Sequence, residues 1–453
     1  MSAWMLNKQV AKQHKMKYFL LFVFLVLLLL PGIQKKFTHV KEVPLKGAFT
    51  LSQSDSFTKK NWYSGRFQQS YTAAFNDAMG FRTTLIRLYN QVNFSFFNQS
   101  SVKTIIVGKS GYLYEDIYIN AYTGKDKLKF SELKKKIHYV DQLQNYLENQ
   151  GIHFILVFAP SKARIFPEYI PSRYLSQKKG LTNYDEYLQI IREEYPDLHF
   201  IDVNAYFCQL KKTVAFPLYS KGGTHWTNYA LHRYFLDSLI QYMGSQQKQR
   251  FPALMERNLH WSNDLQSPDD DILQTLNLFF SKDLEKLPYA DFSLVKHPGD
   301  KKPSLLVISD SYYSMIYGSA AFNSLFNKVN FWFYNKTRYP EEFYQGNTDP
   351  VFLRDDLLQH DFVILMATET NIYDLFLFPE KALSWLGFGN ADIKTNVAKR
   401  EERIQYFIKA MYNNPEWLNS IKNKAILTNR TLEKMIQIDA EYMEQKEHQG
   451  KTE

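Results

Sequence analysis

Five short apolar runs constrain this chain most: Thr104 to Val107, Phe154 to Phe158, Phe200 to Val203, Leu305 to Ile308 and Phe362 to Leu365. Four of the five carry no charged residue, and none alternates apolar with polar, which is the pattern of strands buried on both faces. Segments with helical spacing lie between and after them: Glu132 to Gln150, Asn183 to Glu194, Asn228 to Tyr242, Tyr312 to Phe326 and Val351 to His360. Strand and helix in alternation require crossovers, so the expected fold is α/β, a mostly parallel sheet flanked by helices. With 453 residues, 45% of them apolar, the chain can bury a large core.

Ligands of such sheets bind beyond the carboxyl ends of the strands. The run Leu305 to Ile308 ends at Ser309-Asp310-Ser311-Tyr312, where a strand hands a hydroxyl to the start of a helix. Ser311 is therefore a candidate nucleophile, although Ser309 or Asp310 in that place serves equally well as a helix cap. A serine hydroxyl needs a base, and His225 in Gly222-Gly223-Thr224-His225-Trp226 has the right pKa range. His225 also fits a core imidazole beside Trp226, and the two glycines a tight turn. Two further strand-end loops, Pro160-Ser161-Lys162 and Ala367-Thr368-Glu369-Thr370-Asn371, would lie near Ser311.

These segments resemble the SGNH-hydrolase-like proteins of the AlgJ and AlgX type, which O-acetylate exported polysaccharides such as alginate. Thr224-His225-Trp226 and Asp310-Ser311 match the family's histidine and serine motifs in the same chain order. Gly108-Lys109-Ser110-Gly111-Tyr112-Leu113-Tyr114 is similar to its Gly-x-x-Gly-Trp-Leu-Phe, and the stretch Pro160 to Glu168 is similar to its Pro-x-Lys-x-x-x-x-Pro-Glu. The resemblance runs from about Phe81 to Phe378. It implies an SGNH-hydrolase-like fold, Ser311 as nucleophile and His225 as base. Gly223 stands where the family has the aspartate that orients the histidine, so Glu369, Asp202 or a backbone carbonyl must take that role if the site is active. Asp310, Tyr312, Lys162, Arg164 and Asn371 are candidate oxyanion or substrate-binding residues. Three functions stay open: O-acyl transfer to a polysaccharide, ester hydrolysis through the same residues, and polysaccharide binding without catalysis.

Tyr18 to Leu30 is unbroken apolar and aromatic sequence, preceded by Lys8, Lys12, Lys15 and Lys17 and by no acid. Extended to Ile33, it reads as an uncleaved signal anchor with the lysines in the cytoplasm and the body outside the inner membrane. The formal charge of +9 loses four to these lysines, and the remaining +5 lacks a basic run with interleaved aromatics, which argues against nucleic acid. Expected boundaries are 1–17 for the basic end, 18–33 for the anchor, 34–66 for a linker, 67–380 for the SGNH hydrolase-like domain and 381–453 for a helical tail. The helix expected over Phe67 to Phe97 would pack on the main domain. Asp269-Asp270-Asp271 reads as an exposed acidic turn and not a metal site, because three successive acids do not face one point. No metal or other cofactor is expected. The lone Cys208 allows no intrachain disulfide. Expected partners are a polysaccharide acceptor, a membrane protein that donates the acyl group, and the membrane itself.

Overall fold

A computed structural model describes residues 3–37, 40–47, 50–178, 180–247, 251–281, 285–295, 302–388, 390–427 and 431–449. Ten strands occur among these: β1 (Ile105–Val107), β2 (Leu113–Glu115), β3 (His153–Phe158), β4 (Phe200–Asp202), β5 (Ala253–Ser262), β6 (Leu287–Val295), β7 (Ser304–Ser309), β8 (Lys328–Phe333), β9 (Thr337–Tyr339) and β10 (Phe362–Ala367). The chain divides into two units. One comprises Met1–Glu115, Lys221–Thr224 and Asp270–Glu285, and the other comprises Asp116–Ser220, His225–Asp269 and Lys286–Glu453.

The second unit holds the main sheet, in the order β4-β3-β10-β7-β8-β9. Its first five strands are parallel, and β9 adds an antiparallel edge to β8. The α/β class and the parallel centre agree with the sequence. β3, β7 and β10 are buried along almost their whole length, and Leu156, Ile308 and Leu365 are fully enclosed. Each such side chain contributes about 1.5–3 kcal/mol of transfer free energy. Helix Phe130–Asn149 covers one face, because Leu133, Ile137, Val140, Leu143 and Leu147 repeat at three- and four-residue spacing on its buried side. A two-stranded antiparallel ribbon, β5 with β6, also belongs to this unit.

One expectation about the strands needs correction, and one strand was not expected. The run at Thr104 is not in the main sheet: β1 pairs antiparallel with β2 as a separate two-stranded sheet in the first unit. The strand beside β7 is β8, whose sequence Lys-Val-Asn-Phe-Trp-Phe is broken by a lysine and an asparagine. Both are accommodated because Asp356 accepts from Asn330 Nδ2 at 2.9 Å and pairs with Lys328 Nζ at 3.0 Å.

The C-terminal helices Asn390–Asn413, Pro415–Leu427 and Leu432–Gln449 pack mainly on one another, around Ile404, Met411, Ile421, Ile436 and Ala440. In the first unit, helices Lys59–Tyr63, Arg66–Asp77 and Arg82–Phe97 follow a long N-terminal helix, Ala3–Phe37. The apolar stripe of these helices is not packed away as expected, since Tyr71, Phe75, Leu85, Leu88 and Tyr89 are all exposed.

Candidate active site

Ser311 is the first residue of helix Ser311–Tyr317, two residues beyond the end of β7. The turn between them is fixed by Asp310. Its carboxylate accepts from Tyr312 N–H at 3.1 Å, Thr368 N–H at 2.9 Å, Thr368 Oγ at 2.7 Å and Asn371 Nδ2 at 3.0 Å. The side chain is fully buried, and these four donors tie the loop after β7 to the loop after β10. Asp310 is thus a structural anchor turned into the protein, not toward a ligand.

His225 arrives on a different segment. Tyr219 and Trp226 form an antiparallel bridge, and Thr227 N–H donates to Leu218 O at 2.9 Å while its hydroxyl donates to Pro217 O at 2.8 Å. Trp226 is wholly buried between Phe235 at 4.8 Å, Phe207 and Tyr312. In extended backbone the next residue points the other way. His225 accordingly stays half-exposed, with its ring 4.7 Å from that of Tyr312 and its Nε2 3.0 Å from Ser311 Oγ. With the imidazole proton on Nδ1, Nε2 accepts from the serine hydroxyl, which is the arrangement a base needs to activate a nucleophile.

The acidic run 269–271 does something the sequence did not reveal. Asp269 is buried, accepts from the Asn228 N–H at 3.2 Å and from the Tyr289 hydroxyl at 2.9 Å, and Asp271 accepts from the Thr224 N–H at 2.7 Å. The run therefore holds backbone on both sides of His225 and is not an exposed turn. These bonds span 20 to 47 residues of sequence, so no local pattern could announce them.

The other candidates are placed as follows. Glu369 is fully buried and takes a two-pronged hydrogen bond from Arg164, whose Nη2 is 3.0 Å from Glu369 Oε2. Arg164 also reaches Asp185 at 3.1 Å and Thr182 at 3.0 Å, and its guanidinium lies 4.3 Å from the ring centre of Tyr184. Burial pushes the Glu369 carboxyl above its ordinary pKa, and the guanidinium opposes that shift. Asp202 accepts from Tyr184 OH at 2.5 Å and from Ala205 N–H at 3.0 Å as a helix cap. Glu369 and Asp202 thus accept from these groups and not from His225. Lys162 is buried. Asn371 Nδ2 donates to Asp310 and Thr368, and Tyr312 is buried with its N–H on Asp310 and its hydroxyl 3.3 Å from that of Tyr219. Burial raises the pKa of both tyrosines well above the usual value and keeps them neutral. Among the described residues there is no group of three or more His, Cys, Asp or Glu able to hold a metal ion.

Residues 105–231 match a family model described as "ALGX: SGNH hydrolase-like domain, acetyltransferase AlgX". The match agrees with the motif resemblance and includes His225, but it ends before Ser311. No curated protein matches the chain. Solved structures similar to it include the O-acetyltransferase domain of Pseudomonas putida AlgJ, 16% identical, covering 59% of this chain and 92% of that one at a TM-score of 0.38. Bacillus cereus PatB1 with a sulfonyl adduct is 13% identical over 60% of this chain and 99% of that one, at 0.41. Pseudomonas aeruginosa AlgX is 13% identical over 60% and 66%, at 0.37. Likenesses at this level carry no argument, and the fold rests on strand order and register.

Proposed function

We propose, from a match to an SGNH hydrolase-like domain of the acetyltransferase AlgX type, that this chain transfers an acyl group, acetyl in the simplest case, to a hydroxyl of a polysaccharide through an ester on Ser311. The observation that carries the reading is the 3.0 Å approach of His225 Nε2 to Ser311 Oγ at the carboxyl end of a central parallel strand. Ser311 Oγ attacks the carbonyl carbon of an acyl ester or thioester while its proton passes to His225 Nε2. The tetrahedral oxyanion collapses, the bond to the donor's oxygen or sulfur breaks, and the imidazolium returns the proton to that leaving group. In the second half, a sugar hydroxyl gives its proton to His225 and attacks the acyl-serine carbonyl, and Ser311 leaves with the proton. The Ser311 backbone N–H is a first-turn donor that its helix cannot satisfy, and it would serve to stabilise the oxyanion.

The N-terminal helix supplies the second part of the proposal. His14–Phe37 is long and apolar enough to cross a membrane. As a retained anchor it would keep the body on the outer face of the inner membrane, within reach of a membrane protein that delivers the acyl group. The test is a chromogenic acetyl ester given to the purified protein with and without an oligosaccharide acceptor. Acceptor-dependent acetylation that Ser311→Ala lowers about a thousandfold or more supports transfer. Turnover indifferent to acceptor makes the protein an esterase, and turnover unchanged in Ser311→Ala removes the nucleophile from the account.

A further inference from the structure

Helix Arg82–Phe97 is inside out. The two side chains it buries are polar, Asn90 and Gln91, whereas Leu85, Leu88, Tyr89, Val92, Phe96 and Phe97 are exposed, Phe96 to 80%. The polar face is tied down by hydrogen bonds. Asn90 Nδ2 donates to Leu276 O at 2.8 Å, Gln91 Oε1 accepts from Phe279 N–H at 3.0 Å, and Arg87 donates to Leu278 O and Pro44 O. Five of the six exposed residues fall at positions 85, 88, 89, 92 and 96, a single helical stripe. Such a stripe turned to water forfeits the burial that stabilises helices in soluble proteins.

A second apolar surface lies in the same unit. Rings of Phe57, Phe67, Tyr71 and Phe75 follow one another at 5.1, 5.6 and 6.4 Å, with Trp62 5.5 Å from Phe57. This row meets the end of the N-terminal helix: Lys35 Nζ lies 5.1 Å from the Phe75 ring centre. Gly80 approaches the same turn so closely that a Cβ there would collide with the Pro31 carbonyl oxygen. Glu42, just beyond the helix, accepts from Thr83 Oγ at 3.0 Å and from Thr84 Oγ at 2.8 Å, so the inverted helix is tied to the same place.

We infer that the aromatic row and the exposed stripe of Arg82–Phe97 lie in the headgroup and upper acyl region of the lipid bilayer, as an interfacial platform beside the anchor. The inference rests on the anchor reading given above. The 24 residues of the span rise about 36 Å, slightly more than the ~30 Å hydrocarbon core, so Pro31 to Lys36 falls at the boundary. Whatever touches that turn lies at the same depth. Tryptophan and tyrosine favour that depth, and exposed Lys59, Lys60 and Arg66 beside Trp62 suit anionic headgroups. A protein partner would cover an apolar stripe as well, but it would not account for the row's contact with the membrane end of the span.

The test uses the full chain in nanodiscs containing phosphatidylglycerol, with Cys208→Ser and single spin-labelled cysteines at Leu25, Trp62, Leu88, Phe96 and Lys336. Each variant must keep the parent's circular dichroism and unfolding midpoint. Labels at 62, 88 and 96 are expected to collide several-fold more often with oxygen, which partitions into lipid, than with a water-soluble nickel chelate, and Lys336 is expected to show the reverse. If Leu25 reports water, the anchor reading fails. If Leu25 reports lipid while 62, 88 and 96 report water, or are shielded from both reagents as under a protein, the platform inference alone is overturned.

Discussion

Helices Phe130–Asn149 and Arg82–Phe97 have the same period and opposite orientation. The first buries Leu133, Ile137, Val140, Leu143 and Leu147 and exposes Ser131, Glu132, Lys135, Asn145 and Asn149. The second buries Asn90 and Gln91 and exposes both of its leucines and three of its four aromatics, Phe94 alone packing inward. Spacing reveals that a helix has two faces, but only the surroundings decide which face meets water. In the one, apolar burial should hold the fold together; in the other, hydrogen bonds from the polar face should.

The largest expected difference follows from that contrast. Leu143→Ala should cost about 2–5 kcal/mol, whereas Leu88→Ala, already exposed, should stay within about 0.5 kcal/mol. Urea unfolding of the full chain in detergent measures both, and equal costs would break the comparison. Next is Asn90→Ala, which leaves the Leu276 carbonyl without its donor and should cost about 1–3 kcal/mol. In this helix the polar substitution is therefore predicted to outweigh the leucine one. A smaller effect separates the units in acid. His232 and His360 lie in the second unit, and burial lowers the pKa of both. Above about pH 6.5 each is neutral folded or unfolded and contributes no pH dependence. As pH falls below that value the unfolded chain takes up protons that the folded unit refuses, so stability declines until the lowered folded pKa is reached. Hydrogen exchange at pH 5 and pH 7 should show the second unit loosening more than the first, and His232→Gln should reduce the difference.

What could be read from sequence follows the same physical division. β3, β7 and β10 were legible because strands buried on both faces leave continuous apolar runs, and the approach of His225 to Ser311 because each sits in a short motif at a strand end or turn. β8 was not, since Asn330 and Lys328 interrupt it and only the distant Asp356 makes them tolerable. β5 is largely exposed, β6 is fully buried only over its first three residues, and neither leaves an apolar run. The acids at 202 and 369 were offered beside a backbone carbonyl as candidate partners of His225, and a sequence does not show that Arg164 and Tyr184 already occupy them. Asp269 and Asp271 were dismissed for want of any local sign of the backbone they hold.

The central claim is that Ser311 carries the acyl group. Rapid quenching of the protein with a chromogenic acetyl ester, followed by peptide mass spectrometry, tests it most directly. The account predicts one acetyl group on the peptide containing Ser311, formed as fast as chromophore is released, lost on addition of acceptor and slowed in His225→Gln. Chromophore release with Ser311 unmodified, or an acetyl group that persists at Ser311 when acceptor turns over, would contradict it.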